Sequence, residues 1–125
     1  MLTCRAAPVA ARRDLVAAGV DVVTCGDTAV DLRGALDAPA ERGLRRVDCE
    51  GGPTLFGALV AEDLVDSLCL TVSPFVVGGR DGRISTHPLP ATPRPMTLES
   101  VLQAEGSLFL KAPLPEGRGC VTLQG

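Results

Sequence analysis

Along the first 77 residues, strand-like apolar runs alternate with segments that have helical spacing. Apolar residues recur at helical intervals in three segments: 8–18, 31–43 and 53–62. Strand-like runs lie before, between and after them: 1–4, 20–25, 44–49 and 68–77. Only short β-type runs follow: 96–102, 107–110 and 120–123. This order predicts an α/β domain with a mostly parallel sheet and right-handed crossovers, to which antiparallel C-terminal strands are added at one edge.

Single residues mark where these elements begin and end. Gly19 is suited to end the first helix in the left-handed conformation, and Asp31 is suited to cap the second. Pro39 lies where the second helix would continue, so that helix is expected to kink or restart there before Gly43 ends it. Pro74 interrupts the last long run, which restricts the run to an edge strand, a bulge or a break between two strands.

The most distinctive stretch runs from Val47 to Leu55, where a strand-like run stops at Gly51 and Gly52 and Pro53 opens a helix. Paired glycines let the backbone approach a ligand closely. The first helical turn leaves N–H groups unpaired beside the positive end of the helix dipole, which favours a phosphate. Proline suits the first helical position because it has no N–H. Alternatively, Gly-Gly-Pro is only a sharp corner between a strand and a helix.

Length and charge limit the function classes. A chain of 125 residues is expected to form a single domain, 1–125, and its formal net charge is −3 with no run of like charges. This balance argues against nucleic-acid binding, as does the absence of Trp and Tyr, which would stack on bases. No apolar stretch reaches the ~20 residues of a membrane span, and the N-terminus lacks a signal-peptide pattern.

The number and spacing of the cysteines indicate a reducing compartment and argue against a zinc site. Five cysteines, at positions 4, 25, 49, 69 and 120, show no paired spacing. Their odd number and this spacing argue against both a disulfide framework and a zinc site. Four of them lie inside or at the end of apolar runs, as small buried hydrophobic residues do in a reducing cytosol. We therefore expect a cytoplasmic protein without a bound metal.

Several motifs in a fixed order resemble one known family. They are Glu50 to Leu55, Leu64 to Asp66, Leu70 to Pro74 and Val77 to Gly79. Together they resemble the reductase domain of bacterial riboflavin biosynthesis, which forms the C-terminal part of the bifunctional deaminase-reductase. That domain also occurs in stand-alone pyrimidine reductase-like proteins. The resemblance covers nearly the whole chain and implies a three-layer α/β fold similar to dihydrofolate reductase.

The resemblance also implies an activity. In the family, hydride passes from NADPH to a small-molecule substrate and reduces the ribose of 5-amino-6-(5-phosphoribosylamino)uracil to ribitol. The protein chiefly orients the reactants and supplies electrostatics, so neither a catalytic side chain nor a metal is expected. Homodimers are common in the family, and a homodimer is a further implication for this chain.

The site residues that the resemblance implies form two groups. Glu50 would contact the ribose-phosphate part of the substrate. The NADPH phosphates would lie against the residues that lead into the helix: Gly51, Gly52, Pro53, Thr54, Leu55 and Phe56. Thr3 and Arg5 stand where the family often binds the 2′-phosphate of NADPH, and an arginine suits a phosphate dianion. As alternatives, Glu50 accepts N–H bonds from the helix that follows, and Arg5 is a solvated loop residue.

The chain departs from the family pattern in two places. The family domain begins with a strand and a loop that shape the pyrimidine pocket, whereas this chain starts near the middle of the domain. Its sheet is therefore expected to be incomplete and to expose an apolar face. Pro39 also stands where the family continues a helix with an apolar residue. Two hypotheses follow: an NADPH-dependent reductase whose front half comes from elsewhere, or a non-catalytic remnant that binds a nucleotide or associates through its open edge.

Overall fold

The computed structural model describes residues 1–78, 82–88, 93–114 and 121–124, the last of these as backbone only. The chain forms two compact units, residues 1–45 and 46–125. Within the described ranges, every helix is too short or too polar to cross a bilayer. Each unit contains parallel strands joined through a helix, as the alternating pattern predicts.

The first unit contains two strands and two helices in alternation. They are β1 (Leu2–Thr3), α1 (Val9–Ala17), β2 (Val23–Thr24) and α2 (Leu32–Glu41). β1 and β2 pair in parallel, with Thr3 opposite Thr24. Both strands are shorter than the runs predicted from sequence, because only two residues of each strand pair with the other.

The core of the first unit consists of small side chains. Cys25, Ala35 and Ala38 are buried together, and Val23 packs against them. Because Ala35 and Ala38 are three residues apart, they present one face of α2. Their small size lets the helix backbone come close to the end of β2. The Cys25 thiol also lies 3.5 Å from the Gly34 carbonyl oxygen, which links the same two elements.

α2 is capped at its start as predicted, but it does not restart at Pro39. The Asp31 carboxylate accepts a hydrogen bond from Arg33 N at 3.1 Å, and the helix continues through Pro39 to Glu41. Pro39 has no N–H and so removes one intrahelical hydrogen bond, the one to the Ala35 carbonyl, and the helix ends two residues later. Arg42 Nη1 donates to the Ala38 carbonyl at 2.9 Å and so satisfies a carbonyl of the last turn.

The second unit contains one helix and the larger sheet. Its elements are β3 (Val47–Cys49), α3 (Pro53–Ala61), β4 (Ser67–Val72), β5 (Ser100–Ala104), β6 (Ser107–Pro113) and β7 (Val121–Gln124). Among the described residues the strand order is β3-β7-β4-β6-β5. β3, β7 and β4 are parallel, whereas β4-β6 and β6-β5 are antiparallel. The antiparallel strands lie at one edge, as the sequence predicts.

β7 differs from the predicted arrangement. The prediction added all C-terminal strands at one edge, but β7 lies between β3 and β4 and runs parallel to both. The connection from β3 through α3 to β4 leaves one strand position open between them. β7 occupies this position and forms backbone hydrogen bonds on both sides. No local sequence signal distinguishes an inserted strand from an edge strand, because pairing order is a property of the whole sheet.

All three helices end in the same kind of turn. After α1 and α2, Gly19 and Gly43 have φ of 81° and 82°, and backbone N–H groups fold back onto carbonyls of the last turn. α3 ends likewise, but the left-handed position is held by Asp63, with φ of 59°. Its carboxylate pairs with the Arg94 guanidinium. The first helix therefore ends at Gly19 as predicted, while α3 ends before the predicted 64–66.

The predicted strand run 68–77 is shorter in the structure: the strand ends before Pro74, and no second strand follows within the described residues up to 78. β4 stops at Val72, and Phe75, Val76 and Val77 lie outside any strand with exposed side chains. The predicted turn at Glu105-Gly106 joins β5 to β6, with both residues at positive φ. This is the geometry that matches the twist of a hairpin. The turn predicted at 115–119 and the position of Cys120 lie outside the described residues.

The start of the β5–β6 hairpin carries an ion pair whose effect should depend on pH. Glu99 Oε2 lies 2.7 Å from Lys111 Nζ, and the hydrogen bond and charge of Glu99 raise the pKa of Lys111. Because the folded pKa exceeds the unfolded value of about 10.4, the stabilisation is complete below that value and is lost as pH rises through the folded pKa.

We therefore expect the melting temperature of the wild-type chain to be slightly higher than that of Glu99→Gln at neutral pH. This difference should vanish at strongly alkaline pH. Thermal denaturation followed by circular dichroism measures both. A difference that stays constant across the alkaline range would show that the ion pair is not its source.

Candidate functional site

The glycine corner predicted from sequence exists and joins β3 to α3. Gly51 has φ of 85°, and the peptide bond between Gly51 and Gly52 is cis. Gly52 is the N-cap residue of α3, and Pro53 occupies the first turn. The backbone thus leaves a parallel strand, turns sharply and starts a helix within four residues, Glu50 to Pro53. At Gly51 the positive φ is a conformation that glycine adopts without strain.

The corner is sterically open. A Cβ atom built on Gly51 or Gly52 would meet no other atom within 4 Å. The first hydrogen bond of α3 runs from Phe56 N to Gly52 O at 3.0 Å. The N–H groups of Thr54 and Leu55 precede it, so they have no partner inside the helix. Gly52 has no side chain to cap them, and the first turn contains no acidic residue.

These features suit an anion. Two free N–H groups and the positive end of the helix dipole attract negative charge, and no acidic residue of the first turn repels it. Five of the six predicted cofactor-binding residues of this unit, Gly51 to Leu55, are exposed, and Phe56 is half-buried. The residues present therefore fit the phosphates of a dinucleotide.

Glu50 lies at the end of β3, immediately before the corner, and is exposed. The alternative in which it caps α3 finds no support among the described residues, since no side chain forms a hydrogen bond at the N-cap of this helix. Its carboxylate is thus available to accept hydrogen bonds from hydroxyl groups of a ligand. This is the chemistry that ribose recognition requires.

A contact that sequence reasoning missed lies on α3 one turn further on. Gly57 is buried, and a Cβ built on it would overlap the Thr86 carbonyl. Thr86 N donates to Pro53 O at 3.0 Å. The segment 82–88 therefore lies directly against the first turns of α3. The available signal was Gly57 itself, a glycine inside a helical pattern, which often marks close approach of another backbone.

The residues predicted to bind the 2′-phosphate, Thr3 and Arg5, lie in residues 1–45, at the end of β1 and just after it. Thr3 is half-buried, and its carbonyl accepts a hydrogen bond from Cys25 N at 2.7 Å. Arg5 follows in the loop with an exposed side chain. Arg5 Nε lies 3.0 Å from Asp27 Oδ1. The arginine is therefore both exposed to solvent and paired with Asp27, a residue that sequence reasoning did not single out.

The structure thus assembles each predicted group within one unit. Glu50 to Phe56 form a continuous corner in residues 46–125, and Thr3 and Arg5 form a loop site with Asp27 in residues 1–45. Within the described part of the chain, no cluster of three or more His, Cys, Asp or Glu side chains could hold a metal ion. Among the cysteines described, Cys25 is buried and Cys4, Cys49 and Cys69 are half-buried, all as free thiols.

Parallel strands joined through helices, with a strand that ends in two glycines before an open helix N-terminus, define the class: an α/β domain. The family follows from comparison with known sequences. The chain belongs to the RibD C-terminal domain family, whose model matches residues 1–108. The predicted family is therefore confirmed.

Two curated relatives are similar to part of the chain. A 2,5-diamino-6-ribosylamino-4(3H)-pyrimidinone 5′-phosphate reductase from Archaeoglobus fulgidus is 36% identical over 61 residues, which is 49% of this chain and 28% of the relative. The reductase of the same name from Methanothermobacter thermautotrophicus is 38% identical over 63 residues, 50% of this chain and 29% of the relative. The matched part thus spans less than a third of either relative.

A solved structure confirms the fold. A pyrimidine reductase-like protein from Corynebacterium diphtheriae superposes with a TM-score of 0.80 at 21% identity, over 92% of this chain and 49% of that one. The predicted α/β fold with parallel and antiparallel strands is therefore confirmed. The chain spans about half the length of this neighbour.

Proposed function

We propose that the chain is an NADPH-dependent reductase of the riboflavin biosynthesis type. Its substrate is a ribosylaminopyrimidine 5′-phosphate, whose ribose is reduced to ribitol. The base is either the aminouracil of the bacterial pathway or the diaminopyrimidinone that the names of the two archaeal relatives specify. Family membership and the names of these relatives support the proposal.

The observation that carries the proposal is the open corner at the start of α3. Gly51 and Gly52 leave space for a phosphate, and the Thr54 and Leu55 N–H groups supply donors. NADPH, when bound, supplies the hydride. The chain itself supplies the backbone donors for the phosphates, the Arg5 guanidinium for the 2′-phosphate and the Glu50 carboxylate for the sugar hydroxyls. Within residues 46–125, Glu50 lies next to the corner along the chain, so the groups proposed for the sugar and for the phosphates are held close together, which lowers the entropic cost of orienting a ligand.

The reduction itself provides the test. The purified chain is mixed with NADPH and, separately, with each of the two pyrimidine substrates, and the loss of NADPH absorbance is followed. Mass spectrometry of the product should show the addition of two hydrogens to one of the substrates. Binding of NADPH without any product would contradict the proposal and support a non-catalytic nucleotide-binding remnant instead.

Glu50→Gln should weaken substrate use without affecting the cofactor. Removing the charge costs the difference between a charged and a neutral hydrogen-bond acceptor, about 1.5 kcal/mol, so KM for the pyrimidine should rise roughly tenfold. The Kd for NADPH should stay unchanged. Steady-state kinetics and isothermal titration calorimetry measure the two constants.

Glu41→Gln is the matched control, since Glu41 is equally exposed but ends α2 in the other unit. It should change neither constant. A Glu50→Gln variant with the wild-type KM would remove Glu50 from the substrate site and leave it as a solvated carboxylate.

A cytoplasmic location and a homodimer belong to the same proposal. Exposed apolar side chains at Phe75, Val76 and Val77 support association. Light scattering after size-exclusion chromatography tests the homodimer, and a monomeric mass at micromolar concentration would contradict it.

A further inference from the structure

An ion pair links the loops that follow β1 and β2. Arg5 Nε and Asp27 Oδ1 are 3.0 Å apart, and the two side chains are 78% and 80% exposed. Both groups therefore face solvent, where a ligand reaches them without rearrangement of the core. Arg5 is the residue that the proposed function assigns to the 2′-phosphate of NADPH, so its neighbour has a direct effect on that interaction.

The backbone holds the two residues together. Beyond the β1–β2 pairing, Arg5 N donates to Gly26 O at 3.0 Å and Ala6 N donates to Asp27 O at 2.7 Å. The turn itself is tight: Gly26 has φ of +90°, and a Cβ at this position would collide with the backbone of Ala29 and Asp31. Asp27 thus follows β2 on a loop that is tied to the Arg5 loop through its main chain. The main chain of Asp27 therefore stays beside the Arg5 loop even if the ion pair breaks.

We propose that Asp27 sets the choice between NADPH and NADH by competing with the 2′-phosphate for Arg5. This inference rests on the proposed function, in which Arg5 faces that phosphate. A phosphate dianion at Arg5 must displace the carboxylate and then remain close to its negative charge. A ribose 2′-hydroxyl has no such conflict, because a carboxylate accepts a hydrogen bond from it. Asp27 therefore restrains the preference for NADPH that Arg5 alone would create.

Asp27→Asn tests this directly, since it keeps the side-chain shape and removes the charge. Titration calorimetry of the full chain should show the affinity for NADPH rising about threefold or more, as expected for an exposed charge interaction. The affinity for NADH should stay constant or fall. The gain should diminish with added salt, which screens exposed charges. Asp37→Asn, at an exposed acidic residue of α2, is the matched control and should leave the ratio of the two affinities unchanged.

Two fragments make the test independent of turnover. Adenosine 2′,5′-bisphosphate carries the 2′-phosphate and adenosine 5′-monophosphate lacks it, so only the bisphosphate should bind more tightly to Asp27→Asn. In the Arg5→Ala background the gain specific to the 2′-phosphate should be clearly smaller, because competition for the guanidinium is gone and only the direct charge repulsion is relieved. A chain that shows this pattern but never reduces the pyrimidine would refute the proposed reductase and retain the role of Asp27.

Two results would overturn the inference. One is an NADPH to NADH affinity ratio that is equal in the wild-type chain and Asp27→Asn. The other is a folded wild-type chain that binds neither fragment, since Arg5 would then face no 2′-phosphate for which Asp27 could compete.

Discussion

Gly52→Asp is expected to weaken NADPH binding roughly thirtyfold or more while leaving α3 intact. The new carboxylate would stand at the N-cap position, where Asp is among the best residues for satisfying the first N–H groups. The same carboxylate would occupy the open space that a phosphate needs and would repel it. At a separation of about 4 Å near a protein surface this repulsion amounts to at least ~2 kcal/mol after screening, or roughly a thirtyfold loss of affinity.

Gly52→Asn is the matched control, because Asn caps a helix as well as Asp does but carries no charge. Comparison of the two variants separates the charge effect from the effect of adding a side chain. Fluorescence titration with NADPH measures binding, and circular dichroism verifies the helix. NADPH binding by a folded Gly52→Asp variant at wild-type affinity would place the phosphates away from α3.

Gly57→Ala is expected to destabilise the chain although alanine favours helices. A methyl group at this position would overlap the Thr86 carbonyl, so the segment 82–88 must move away from α3. Forced overpacking costs about 1–3 kcal/mol, which exceeds the helix-propensity gain of ~1 kcal/mol. We expect a net loss of about 1 kcal/mol and a lowering of Tm by a few degrees.

Gly34→Ala is the same substitution inside α2 and serves as the control. There the nearest atom to the new methyl group is Asp31 Oδ2 at 3.2 Å; the capping carboxylate needs to yield by only a few tenths of an ångström, and no backbone needs to move. Gly34→Ala should therefore be neutral or stabilising. If both variants melted at the same temperature, the contact between Gly57 and Thr86 would have no energetic role.

Local signals predicted most of the individual elements. Asp31 caps α2, Gly19 and Gly43 end helices, and Gly51 and Gly52 form the corner before α3, because each of these features depends on the conformation of a few neighbouring residues. The restart predicted at Pro39 is absent, because the helix loses a single N–H donor there and ends two residues later.

Features that depend on distant residues escaped prediction. β7 is inserted between β3 and β4, and nothing within residues 121–124 indicates which strands they will pair with. The neighbours of Arg5 and Gly57, which are Asp27 and Thr86, are separated from them by more than twenty residues of sequence. The resemblance named candidate site residues, but the groups that modulate them became visible only through the fold.

The most direct measurement of the central claim is an NMR titration of the ¹⁵N-labelled chain with NADPH. The amides at the corner should shift most: Gly52, Thr54 and Leu55, together with Phe56, whose N–H is bonded to the Gly52 carbonyl. A second set of shifts should occur around Arg5 with NADPH and be smaller with NADH. Such a pattern would establish the corner at α3 as the cofactor site on which the proposed reductase depends. Shifts confined to other parts of the chain, or no shifts at millimolar NADPH, would contradict it.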